Sequence, residues 1–75
     1  MSIFVEIGEW ASNHTKTGVF PLVVPNGATV EDIILMLNIP PDEIGLSAVA
    51  NKHVTRGHTL SEGDRIKFFP CIVGG

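Results

Sequence analysis

PNGATVEDIILMLN, residues 25–38, is the stretch whose reading decides the fold. Pro25-Asn26-Gly27 is a cluster of turn residues, and Thr29 stands where a helix N-cap belongs, with Asp32 at the third helical position. After it Val30, Ile33, Ile34 and Leu37 fall at i, i+3, i+4 and i+7, the spacing of one apolar helix stripe. Asn38 and Pro40-Pro41 stop the helix, because the residue before a proline avoids helical dihedrals. The spacing therefore predicts one helix over residues 29–37, with Met36 as core filler.

Upstream of this helix, Ile3, Val5 and Ile7 recur with period two, as in a strand burying one face. A polar connection, residues 8–18, leads to Val19-Phe20-Pro21-Leu22-Val23-Val24, where Pro21 demands an edge or a bulge because proline cannot donate to the ladder. The two runs form an N-terminal hairpin. Trp10 lies near its loop, and both a core cap and an exposed position are open to it.

Downstream, Asp42-Glu43-Ile44-Gly45 reads as a short turn or one turn of helix. Residues 46–50 and Val54-Thr55 are short apolar strands, with the tight turn expected at Asn51-Lys52-His53. Residues 60–64 form a polar turn into a last strand over 65–69, which puts Ile66 and Phe68 on one face and Arg65, Lys67 and Phe69 on the other. The order of elements predicts an α+β domain, a mixed sheet packed on one helix.

Composition narrows the function classes. Seventy-five residues make one small domain, residues 1–75, without room for a self-contained enzyme cleft. At this size only roughly 60 to 65% of the unfolded chain's surface is buried on folding. No stretch approaches the ~20 apolar residues that span a bilayer, and no basic leader precedes an apolar core, so the expectation is a soluble, cytoplasmic protein without a membrane partner. Cys71 is the single cysteine, which excludes an internal disulfide framework. His14, His53 and His58 have no metal-ligand spacing and are expected at the surface, so no metal is assigned.

The net charge is −3, unevenly placed. Glu6, Glu9, Glu31, Asp32, Asp42 and Glu43 face one base, Lys16, in the first part, whereas Lys52, Arg56, Arg65 and Lys67 outnumber Glu62 and Asp64 from Ile44 onward. These bases are too interspersed with acids for a nucleic-acid face. They fit either ordinary solvation or a surface complementary to an acidic protein.

The sequence closes on Gly74-Gly75 after Phe69-Pro70-Cys71-Ile72-Val73. At average glycine usage, two glycines in those two positions arise by chance in about half a percent of chains. Without Cβ they can thread a channel that would reject a side chain, which is what delivering a carboxylate into another enzyme requires. A frayed end or an expression scar is the competing account. Residues 69–75 are expected to be a flexible tail, and Phe69, beside Arg65 and Lys67, to be a partner contact.

The helix start at Asn26-Gly27-Ala28-Thr29-Val30, the Glu62-Gly63-Asp64-Arg65-Ile66 turn and the ending Phe68-Phe69-Pro70-Cys71-Ile72-Val73-Gly74-Gly75 together resemble the ubiquitin-like β-grasp sulfur carriers. These comprise the small subunit of molybdopterin synthase and the thiamin-biosynthesis sulfur carrier. The resemblance covers most of the chain from Val19 on, and residues 8–18 are its least distinctive part. It implies that Gly75 is adenylated by an E1-like adenylyltransferase using ATP and magnesium, then converted to a thiocarboxylate with sulfur from a persulfide-forming donor. Gly74 is then the slender spacer, and Phe69, Pro70, Ile72, Val73, Arg65 and Lys67 the partner-binding residues. The chain itself holds no cofactor and is not an enzyme in this scheme, though it can serve as the small subunit of one. The Phe68-Phe69-Pro70 step leans toward molybdopterin or tungsten-cofactor biosynthesis and a molybdopterin synthase large subunit. Thiazole synthase in thiamin biosynthesis is the alternative recipient, and protein modification through an isopeptide is another. A β-grasp binding domain with an inert tail is the third class. Cys71 departs from the family, where proline or another non-thiol residue is common, and is read as incidental because ring strain opposes capture of an activated Gly75.

Overall fold

The computed structural model describes residues 1–71. Five strands form one mixed sheet in the order β2-β1-β5-β3-β4: β1 is Ser2–Ile7, β2 Gly18–Val23, β3 Ile44–Val49, β4 Lys52–Val54 and β5 Arg65–Pro70. Parallel pairing joins β1 to β5, and the other neighbours are antiparallel. Proline 21 lies in β2, an edge strand, where a missing ladder donor is tolerated.

Helix α1, Val30–Met36, covers one face of the sheet with Val30, Ile33 and Ile34 fully buried, and Leu37 completes its stripe. Its start is satisfied without water. Thr29 and Asp32 form a reciprocal capping box: the Asp32 amide donates to Thr29 Oγ1 at 3.3 Å and the Thr29 amide to Asp32 Oδ2 at 2.9 Å. The next two orphan donors go to the chain ahead of β5, Val30 N–H to the His58 carbonyl and Glu31 N–H to the Arg56 carbonyl. Asn38, with φ of 59°, ends the helix in the left-handed conformation.

The core beneath α1 joins Ile3, Val5 and Ile7 of β1 with Phe20 of β2 and Ile66 and Phe68 of β5. The 8–18 connection is more structured than its polarity predicts. Residues Glu9–Ala11 make a 3-10 turn that buries Ala11 completely and lays Trp10 against the core as a partial cap.

Four other local expectations are corrected. Met36 is 45% exposed, because it lies off the stripe that faces the sheet. The β3–β4 turn is Ala50-Asn51, not residues 51–53: both have positive φ, 53° and 64°, the two-residue geometry whose twist matches that of the flanking strands. Residues Pro41–Glu43 form a 3-10 turn, but Ile44 and Gly45 already belong to β3. Finally, the tail does not begin at residue 69, since β5 continues through Phe69 and Pro70, paired with Leu46 and Ile44.

Candidate partner face and tail root

Alternation along the strands sends one set of side chains into the core and leaves the other on an open face that α1 does not cover. Arg65, Lys67 and Phe69 of β5 project there, as their spacing predicts. Beside them stand Glu6 and Phe4 of β1, Val19 and Val23 of β2, and Leu46 and Ala48 of β3. Phe4, Val19, Val23 and Leu46 are between 45% and 76% exposed, so the face is apolar around a charged centre.

Arg65 and Lys67 are not free cations. Arg65 donates through Nε at 3.1 Å and Nη2 at 2.8 Å to Glu6 Oε1, and Lys67 Nζ lies 3.2 Å from Glu6 Oε2. The Arg65 hydrogen bond first, and the Lys67 one next, hold the Glu6 carboxyl below its ordinary value of 4.5. Lys67 also places its ammonium 5.2 Å over the Phe69 ring. Phe69 is accordingly half-buried rather than fully exposed. It forms a ridge between two shallow hollows of about 420 and 370 Å³, one reaching His53 and the other Trp10.

At the end of β5, Pro70 and Cys71 are exposed. Cys71 N–H donates to the Glu43 carbonyl at 2.8 Å, which anchors the chain one residue beyond the strand. Glu43 is itself held, by His14 Nε2 at 3.3 Å from Oε1. The other expected site residues, Ile72, Val73, Gly74 and Gly75, lie outside the described residues. Among the described residues no three His, Cys, Asp or Glu side chains converge as metal ligands, and no helix is long and apolar enough to cross a membrane.

Glu6, Glu43, Gly45 and Leu46 escape the sequence reading of this region. A signal existed for Gly45, because a glycine inside an apolar strand run marks a bulge or a close backbone approach. Glu6 carried only the weaker signal of a lone acid at an outward strand position.

A family model described as the ThiS family matches residues 10–75. No curated protein sequence matches the chain. Among solved structures, SAMP1 from Haloferax volcanii is similar at 18% identity and a TM-score of 0.74, with 100% of each chain covered. A putative molybdopterin converting factor, subunit 1, from Pyrococcus furiosus is similar at 18% identity and a TM-score of 0.76, over 96% of this chain and 99% of that one. A second structure of the H. volcanii small archaeal modifier protein 1 gives 15% identity and 0.74, over 95% and 98%. At these identities the likeness establishes the fold, a ubiquitin-like β-grasp.

Proposed function

We propose, because this chain belongs to the ThiS family of ubiquitin-like sulfur carriers, that it delivers sulfur as a thiocarboxylate on Gly75. Members of the family are small carriers and not enzymes, so activation is a partner's task. The observation that carries the proposal is that the family match runs through the Gly74-Gly75 ending, which follows a strand whose outer face is apolar and charged.

The chemistry requires that division of labour. A carboxylate is anionic and resonance-stabilised, so a sulfur nucleophile does not attack it at a useful rate. An E1-like adenylyltransferase with ATP and magnesium converts the Gly75 carboxylate to an acyl-adenylate and releases pyrophosphate. The terminal sulfur of a donor persulfide displaces AMP, and thiol cleavage of the resulting S–S bond leaves the thiocarboxylate. Oxyanion stabilisation in these steps belongs to the partner. This chain supplies the recognition: Phe69 and Pro70 as apolar contacts, the Glu6, Arg65 and Lys67 cluster for register, and Ile72 and Val73 as the lead into the active-site channel.

For the recipient we favour a molybdopterin synthase large subunit, on the Phe68-Phe69-Pro70 step and on the similarity to a protein named as a molybdopterin converting factor subunit. The thiamin thiazole pathway is the alternative. The names of the Haloferax structures favour, as a second reading, transfer of Gly75 to a lysine of another protein. Incubation with the cognate adenylyltransferase, ATP, magnesium and a sulfur donor should raise the intact mass by the difference between sulfur and oxygen, and deletion of Gly75 should abolish the change while the fold persists. An unchanged mass with an active adenylyltransferase overturns the proposal. Rescue of molybdoenzyme activity in a carrier-deficient strain selects the pathway, rescue of thiamin auxotrophy alone selects its alternative, and higher-mass conjugates in cells select the modifier reading.

A further inference from the structure

Gly45 sits where β3 meets the end of β5. The register passes from Ile44 opposite Pro70 to Leu46 opposite Phe69, so Gly45 is one extra residue in β3. This bulge is what turns Ile44 into the core while Leu46, two residues on, stays on the open face. Gly45 is absent from the glycines with positive φ, which are Gly18, Gly27 and Gly63. Its lack of a side chain is therefore a demand of space and not of backbone conformation.

That space is filled by the neighbouring strand end. A Cβ on Gly45 would lie 2.6 Å from the Pro70 carbonyl oxygen, 3.0 Å from Cys71 Cα and 3.1 Å from the Pro70 carbonyl carbon. All three are backbone atoms, which cannot rotate out of the way as a side chain can. On the same stretch the Cys71 amide is held by the Glu43 carbonyl at 2.8 Å. The backbone leaving β5 is thus fixed from two sides, by a hydrogen bond at residue 71 and by close contact at residue 70.

The bracket is supported from behind. Arg56 Nη2 donates to the Pro41 carbonyl at 2.6 Å and to the Ile44 carbonyl at 3.0 Å, clamping the 3-10 turn that presents the Glu43 carbonyl. The backbone of Arg56 is tied to α1, because its carbonyl accepts from the Glu31 N–H at 2.9 Å. Both side-chain bonds of Arg56 come from one nitrogen, Nη2, which stands one bond farther along the side chain than a lysine ammonium reaches.

We propose that Gly45 is a positioning residue for acyl transfer at Gly75: with the Glu43 carbonyl, and with Arg56 behind it, it sets the direction in which the chain leaves Cys71 toward a partner's active site. This rests on the sulfur-carrier reading above. A side chain at position 45 displaces Pro70 and Cys71, the point from which the chain departs, while Arg65, Lys67 and Phe69 keep their places on β5. Misplacement of about 1 Å at a reacting centre can lower a rate by roughly a hundredfold.

The test compares Gly45→Ala with Gly57→Ala, a matched control whose added Cβ meets nothing within 4 Å. Two readouts are taken: amide hydrogen exchange at Cys71 on the isolated protein, and steady-state kinetics of adenylation by the cognate enzyme. Gly45→Ala should speed Cys71 exchange by about tenfold. It should lower kcat by roughly tenfold or more with KM within about twofold, the pattern of an interaction realised in the transition state. Gly57→Ala should match wild type in both. Arg56→Lys, which keeps the charge but is one bond too short to place its nitrogen at the Nη2 position, should move both readouts in the same direction by less, and it decides the matter if Gly45→Ala does not fold. Cys71 exchange and kcat unchanged from wild type in the folded variant overturn the proposal. If wild type is not adenylated at all, the sulfur-carrier reading falls, and the exchange measurement alone supports or overturns the bracket.

Discussion

Arg65 on β5 reaches Glu6 on the parallel neighbour β1 diagonally, past the register partner of Glu6, which is Lys67, and places two nitrogens on one carboxylate oxygen at 3.1 and 2.8 Å. Glu6 therefore serves both bases of the open face. The centre of that face is one carboxylate shared by two cations, which leaves a single positive charge, ringed by apolar side chains. On the sulfur-carrier proposal, a partner meets these ion pairs already formed, with one cation in excess of the carboxylate.

Glu6 should make stability dependent on acid. Its folded pKa lies below the ordinary 4.5, so the unfolded chain binds the proton more readily, and the contribution is fully present above the unfolded value and lost as pH falls through the folded one. Urea unfolding of wild type and Glu6→Gln should show wild type ahead at neutral pH and the gap closing under acid. The gap should also shrink in molar salt, as for exposed charges. A gap independent of pH would refute the role.

Phe68 and Phe69 are adjacent and should behave oppositely. Phe68, 2% exposed, should lose roughly 3 to 5 kcal/mol of stability on change to alanine. Half-buried Phe69 should lose only about 1 to 2 kcal/mol, while Phe69→Ala weakens binding to the activating partner. A thermal melt beside a binding titration separates them, and equal destabilisation would contradict the assignment of faces.

Ala50 holds a φ of 53° in the β3–β4 turn. A non-glycine residue in that conformation is strained by about 1 to 2 kcal/mol, partly offset in a glycine variant by about 0.5 to 1 kcal/mol of unfolded-chain entropy. Ala50→Gly should therefore stabilise by about 0.5 to 1 kcal/mol, raising Tm by about 2 to 8 °C. A lower Tm would count against the turn geometry.

Thr29→Ala should cost about 1 kcal/mol by opening the capping box, and Thr29→Ser should restore most of it. Equilibrium unfolding of the pair measures the difference. Loss in Thr29→Ser as large as in Thr29→Ala would show that packing of the Thr29 methyl, not the hydroxyl, matters.

What the sequence determined by itself was everything decided within a few residues of chain. Thr29 and Asp32 are three apart, the helical stripe repeats within two turns, and alternation in Ile3, Val5 and Ile7 or in residues 65–69 assigns faces without knowledge of neighbours. The pairing of Arg65 and Lys67 with Glu6 is different, because those residues are brought together only when β1 and β5 lie side by side across 59 intervening steps of sequence for Arg65. The contact of Gly45 with Pro70 and the bond from Cys71 to Glu43 likewise exist only because β3 and β5 run antiparallel with a bulge at that place. Period-two patterning cannot foresee a bulge, since one extra residue puts Ile44 and Leu46 on opposite faces without altering the apolar character of either. Local propensity thus wrote the elements, whereas the ion pairing of the open face and the anchoring of Cys71 at the end of β5 were decided by tertiary contact, where long-range pairing sets which backbone and which charge stand opposite each other.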